Sequence, residues 1–121
     1  MVNEKKAVLI CLERQGADVD VDLLAEELTL LLANLGITVV GRVDQKRTSP
    51  DPATFIGKGK LYETKALISN LDASLVVCND SLLPTQLHNI GAILGVEVWD
   101  RPFVIMKIFE ARAYSAEAKL Q

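Results

Sequence analysis

The chain has little of what metal and acid–base chemistry draw on: one histidine and two cysteines in 121 residues. The cysteines, Cys11 and Cys78, are far apart, so neither a Cys-x-x-Cys nor a His-x-x-x-His spacing is present to hold a zinc ion. Each closes a short apolar, β-branched run, which suits small core thiols in a reducing compartment. Long apolar runs are missing too. The longest, Leu28 to Leu35, is far too short to span a bilayer. No charged leader with an apolar core opens the chain, so the expected location is the cytoplasm and no membrane partner is expected. Basic excess is also absent. A net charge of −3 and a pI near 5.1 argue against a domain that coats nucleic acid without specificity, and leave room only for a local basic patch.

What is present is ordinary globular material. Half the residues are apolar and 24% are charged, a balance that excludes disorder. The length fits one domain covering residues 1–121. A chain of this size buries roughly two thirds of the surface its unfolded form exposes, so it needs neither disulfide nor metal to fold.

Short apolar runs alternate with longer periodic ones. Ala7 to Leu12 is a continuous apolar run of strand length, as expected for a strand covered on both faces. From Asp20, a plausible N-cap, the period changes: Val21, Leu24, Leu28, Leu31, Leu32 and Leu35 share one helical face, and Gly36 ends the segment. Ile37 to Val43 reads as a second strand. Residues 47–57, with Pro50 and Pro52, read as a loop. A second helix is predicted over Gly59 to Leu71, a third strand over Ser74 to Asn79, and a third helix with Pro84 in its first turn and Leu87, Ile90 and Leu94 inward. Gly95 closes it. Val96 to Trp99 is a fourth strand, and Phe103 to Gln121 a final helix. This β-α-β-α-β-α-β-α order predicts an α/β fold: a four-stranded, mostly parallel sheet with helices on both faces and strand order 2-1-3-4, half of a flavodoxin-like sheet.

In such sheets ligands gather at the carboxyl ends of the strands, here loops 13–20, 44–58, 79–83 and 100–102. The second is the informative one. Arg42, Lys46, Arg47, Lys58 and Lys60 lie between positions 42 and 60 against only Asp44 and Asp51. An acidic chain that concentrates cations there presents them to an anion, with phosphate contacts that weaken as salt rises. Gly57-Lys58-Gly59-Lys60 falls at a predicted helix start, where free N–H groups and the macrodipole favour phosphate and glycine lets it approach. The run is not a Walker A loop, because Leu61 stands where Ser or Thr must follow the lysine, and Tyr62 breaks a GxGxxG match. A glycine-assisted turn that merely starts the helix accounts for it better than a nucleotide site does.

Catalytic groupings are scarce. His88, the lone histidine, has no carboxylate placed to orient it and reads as a boundary residue. Asp80 follows the third strand where a receiver domain keeps its phospho-acceptor, but such a domain also needs an acidic pair after the first strand, and Glu13 stands there alone. No catalytic residue and no metal site are expected. The final helix is over-apolar: Phe103, Val104, Ile105, Met106, Ile108 and Phe109 cover more than one face, which suggests deep burial or a contact with a further segment or a second copy of the chain.

One stretch carries a family resemblance. Gln45-Lys46-Arg47, followed by Asp51-Pro52-Ala53-Thr54-Phe55-Ile56-Gly57-Lys58-Gly59-Lys60, resembles the signature of the amino-terminal domain of the HflX GTPases. In register with it, residues 79–86 resemble that family's "DDELSPxQ" run, and Asp100-Arg101, Ile108-Phe109, Ala111-Arg112-Ala113 and Lys119-Leu120-Gln121 resemble its "DRT…IF…RA…KLQ" run. The similarity covers nearly the whole chain. Leu83, Asn79, Ser81, Pro102 and Lys107 depart from the pattern, which spares the basic loop and weakens any role for residues 79–86.

The resemblance implies a cytoplasmic translational GTPase that binds the large ribosomal subunit and dissociates or rescues stalled ribosomes. Its amino-terminal domain helps dock on ribosomal RNA, and an ATP-binding role has been attributed to that domain in some members. A helical hairpin and a GTP-binding domain follow it, so GTP and Mg belong to a part beyond this chain, which carries no cofactor of its own and no GTP-hydrolysing motif. Three roles follow for this domain: RNA docking through the basic residues, nucleotide binding through Gly57 to Lys60, and packing on the GTPase domain through Phe103, Met106 and Phe109.

Overall fold

The computed structural model describes residues 5–120, with side chains through residue 113. Its elements are β1 (Lys5–Arg14), α1 (Val21–Ala33), β2 (Ile37–Arg47), α2 (Lys58–Leu71), β3 (Leu75–Cys78), α3 (Pro84–Leu94), β4 (Glu97–Asp100) and α4 (Arg101–Leu120). The four strands are all parallel and ordered β2-β1-β3-β4, as the alternation of elements predicted. Two apolar layers hold the sheet. Val8, Ile10, Leu12, Val76 and Cys78 face α2 and α3, and Ala7, Leu9, Cys11, Leu75 and Val77 face α1 and α4. Both layers require residues 7–12 of β1 and all of β3 to be apolar, which is why these stretches read as unbroken runs.

The helix starts follow local chemistry. Asp20 accepts from the N–H groups of Asp22 and Leu23 and begins α1. Asp100 does the same for α4, accepting from Phe103 N at 3.1 Å. That cap moves the start of the last helix back from the expected Phe103 to Arg101, so strand and helix join directly and no loop occupies residues 100–102. Within α4, Val104 and Ile108 are buried, while Met106 and Phe109 are 43% and 65% exposed. The apolar excess read from the sequence is therefore real on the outer face of this helix.

β2 differs most from expectation. It runs to Arg47 rather than Val43, because β1 extends to Arg14 and pairs with it through Arg14 and Arg47. It also carries a bulge: Ala7 pairs with Val39 but Val8 with Gly41, so Val40 is the extra residue. Val39 belongs to the α1/α4 layer and Val40 to the α2/α3 layer. Beyond the bulge Gly41 lies against α2, where an added Cβ would come within 2.8 Å of Leu71 Cδ1. From there the alternation places Val43, Gln45 and Arg47 on the α2/α3 side, and Arg42, Asp44 and Lys46 on the α1 side.

Candidate phosphate-binding site

The loop leading into α2 is built from its own backbone upward. Asp51 Oδ1 accepts from Ala53 N at 2.8 Å and Thr54 N at 3.1 Å, and the backbones of Asp51 and Phe55 exchange two hydrogen bonds of 2.9 Å. These contacts hold the Asp51 carboxyl below its ordinary pKa, chiefly through the Ala53 and Thr54 N–H groups, which favour the charged form. Phe55 closes the turn with φ of 67°, a left-handed conformation unusual for a side chain of this bulk. Burial supports it: Phe55 and Ile56 are almost wholly enclosed, and Thr54 Oγ1 donates to Ile56 O at 2.8 Å. Most of the Asp51–Ile56 signature is thus an anchor that fixes where the next helix begins.

That helix begins uncapped. Gly57 is the N-cap and offers no side chain, while Gly57 N donates to Gln45 Oε1 at 2.7 Å. The next three residues, Lys58, Gly59 and Lys60, have N–H groups with no acceptor inside the helix. Space above Gly59 is open, since a Cβ there would meet nothing within 4 Å. Arg47 borders the opening. Its Nη1 lies 3.3 Å from where a Cβ on Gly57 would stand, and its Nε donates to Ser49 O at 3.0 Å. A guanidinium therefore stands beside Gly57 at a helix start with free N–H groups, and the first helical residue is an exposed lysine, an arrangement suited to a phosphate.

The other cations are placed differently. Arg42 lies on the far side of β2, where it grips Asp44 at 2.6 and 2.8 Å and Asp22 at 2.8 Å. Its pKa is raised, first by the Asp44 hydrogen bond, so its charge is spent within the domain. Lys46, on that same side, pairs with Glu13 at 3.4 Å, and Lys60 pairs with Glu63 at 3.1 Å. Both pairs are solvent-exposed and hold little energy, so Lys46 and Lys60 remain available to a polyanion. Arg42 and Lys60 do share a shallow groove along the outer edge of β2. Among the described residues neither Arg47 nor Lys58 has a salt bridge. Asp22 and Glu13 reach the basic stretch from other elements, which no count along residues 42–60 reveals.

Gln45, Asp51, Gln86 and Asn89 all tie down the loop, a role that the sequence did not assign to them. Gln86 and Asn89 donate to the Asp51 and Ala53 carbonyls at 2.9 and 3.0 Å. For these two, a polar residue beside an apolar helical stripe was the only signal. At the other end of the sheet opening, a crevice of about 330 Å³ lies between the β1 and β3 ends, lined by Arg14, Ala17, Val19, Leu24, Asp80 and Arg101. Asp80 is taken up there by Arg14 at 3.4 Å and Ser81 N at 2.8 Å. His88 is exposed on α3. Burial pushes the Cys11 thiol up to about 11 and raises Cys78 as well, which makes both unreactive core groups. No described helix is long and apolar enough to cross a membrane.

Comparison with known proteins places this geometry. The family described as GTP-binding GTPase N-terminal matches residues 23–110, from α1 into α4, with the whole 51–60 run inside. GTPase HflX of Lacrimispora saccharolytica is 38% identical over 118 residues, covering 98% of this chain and 28% of that protein. The chain belongs to the HflX family, as an amino-terminal domain. GTPase HflX of Thermofilum pendens is likewise 38% identical, over 99% of the chain and 28% of its own length, and that of Escherichia coli is 32% identical over 79% and 22%. This HflX domain therefore spans between a fifth and a third of the relatives it matches. Two crystal structures of SsGBP variants share its fold at a TM-score of 0.64, with 24% and 23% identity over 87% of the chain.

The residues expected to meet another domain divide in two. Phe103 packs inward on Trp99, with ring centroids 5.0 Å apart and planes at 59°, and Lys107 lies over its ring. Met106 and Phe109 are exposed on the outer face of α4.

Proposed function

We propose that this HflX amino-terminal domain helps seat its GTPase on the large ribosomal subunit by holding ribosomal RNA phosphates at the start of α2. The observation that carries the reading is the Arg47 guanidinium standing beside Gly57, at an uncapped helix start whose first residue is the exposed Lys58. Arg47 and Lys58 form the centre of the site, and Lys46 and Lys60 add charge at its rim through side chains that leave their weak ion pairs readily. Arg42 serves the fold. The full-length protein is the enzyme, acting in the cytoplasm to dissociate or rescue stalled ribosomes, and GTP with its Mg is held in the domain that follows. In the same protein, the exposed Met106 and Phe109 favour a contact between the outer face of α4 and the helical hairpin or GTPase domain.

Sedimentation of the purified domain with large ribosomal subunits across a salt series tests the reading, beside a Lys46/Arg47/Lys58/Lys60→Ala variant. Salt-sensitive co-sedimentation that the variant loses supports it. If both proteins stay in the supernatant at low salt, docking by this domain is overturned. ATP retained on the domain, and released by Lys58→Ala, would then make Gly57 to Lys60 a nucleotide site instead.

A further inference from the structure

The start of α2 owes its position to a side chain from another helix. Gln86 is 5% exposed and makes two hydrogen bonds with opposite ends of its amide. Its Oε1 accepts from Leu83 N at 2.8 Å, the one half of a capping box present at the start of α3, since Leu83 has no side-chain acceptor for the other half. Its Nε2 donates to Asp51 O at 2.9 Å, across 35 residues of sequence. That carbonyl also accepts from Phe55 N, so it stands at the centre of the turn that delivers Gly57. The anchor is itself braced: Asp100 Oδ2 accepts from Leu82 N at 3.0 Å while Asp100 Oδ1 caps α4. A chain of hydrogen bonds thus runs from the head of α4 through Gln86 to the loop that ends at Gly57.

Resting on the phosphate-site reading above, we infer that Gln86 is the positioning residue of that site: its Nε2 donor sets the α2 start against Arg47. Capping of α3 uses only the oxygen of the amide. The two roles can therefore be separated by one atom. Gln86→Glu keeps an acceptor for Leu83 N, and a negative charge near a helix N-terminus is favourable. The same change replaces the donor facing Asp51 O with an acceptor, so the loop must move away. Gln86→Met removes both bonds and serves as the control for the missing cap.

The test uses the isolated domain, its amide spectrum and pyrophosphate as the probe, with Arg47→Ala and Lys58→Ala in parallel. Gln86→Glu is expected to shift the amides of Ala53, Thr54, Gly57, Lys58 and Gly59, leave those of Ile90 to Leu94 in place, and weaken pyrophosphate at least threefold. A retained melting temperature separates this from unfolding. If Arg47→Ala and Lys58→Ala weaken pyrophosphate while Gln86→Glu changes neither affinity nor the Gly57–Gly59 amides, the inference is overturned and Gln86 only caps α3. If the wild type takes no pyrophosphate at this helix start, the binding reading fails by itself, and the Lys58 and Gly59 amide shifts alone decide the positioning claim.

Discussion

Arg42 reaches across from β2 to the first turn of α1 and holds Asp22 at 2.8 Å while gripping Asp44 with its other edge. The contact exists because the bulge at Val40 turns Arg42 toward α1 and away from the side that carries Arg47. It divides the five cations into one that stabilises the domain and a group that faces outward.

This division predicts unequal effects on RNA binding. Lys58→Ala should lower the magnitude of the salt slope of large-subunit binding by about 1 for the phosphate it no longer meets, whereas Arg42→Ala should leave the slope unchanged. Arg42→Ala should cost at most about 1 kcal/mol of stability, since Asp22 and Asp44 are well exposed. Binding isotherms at four salt concentrations decide the matter. An equal drop in slope for the two variants would mean that Arg42 also meets phosphate.

Phe55 carries a second expectation. Its ring is 1% exposed, in a turn where φ is 67°. Truncation to alanine leaves a cavity and keeps the unfavourable backbone, so Phe55→Ala should destabilise the domain by about 3–5 kcal/mol. Phe55→Gly creates the same cavity but relieves the turn, and should be the less damaging of the two by up to about 1 kcal/mol. Urea denaturation of both variants checks this ordering. Equal midpoints would show that the turn stores no strain.

The Asp51 carboxylate makes stability depend on pH. Its folded pKa lies below the unfolded value because two backbone N–H groups hold the charged form. The unfolded state therefore binds the proton more readily. The stabilisation is complete above the ordinary carboxylate pKa of about 3.9 and is lost as pH falls through the depressed folded value. Asp51→Asn keeps an acceptor for Ala53 and Thr54 but cannot titrate. Its urea midpoint should fall less than that of the wild type between pH 6 and pH 3. Parallel curves would remove Asp51 from the acid response.

Local pattern was enough for much of this protein. The unbroken apolar run at Ala7 to Leu12, the helical stripe from Val21 to Leu35 and the caps at Asp20 and Gly36 depend on neighbours a few residues away, and they determined the element order and the parallel sheet. Right-handed crossovers then left few arrangements, which is why the strand order 2-1-3-4 was legible. The signature Asp51 to Lys60 marked the stretch that forms the anchoring turn and the start of α2. Its internal division was not legible, because the partners come from elsewhere in the chain. Gln86 is 35 residues from Asp51, and Asp22 is 20 from Arg42. The bulge at Val40 depends on how β2 lies against β1, and a single inserted residue reverses which side every later side chain faces. Composition and periodicity determined the scaffold and the location of positive charge; only the tertiary structure decided which of those charges are neutralised within the fold and which stand free at the head of α2, because charge pairing is set by distance in space, and sequence records distance only along the chain.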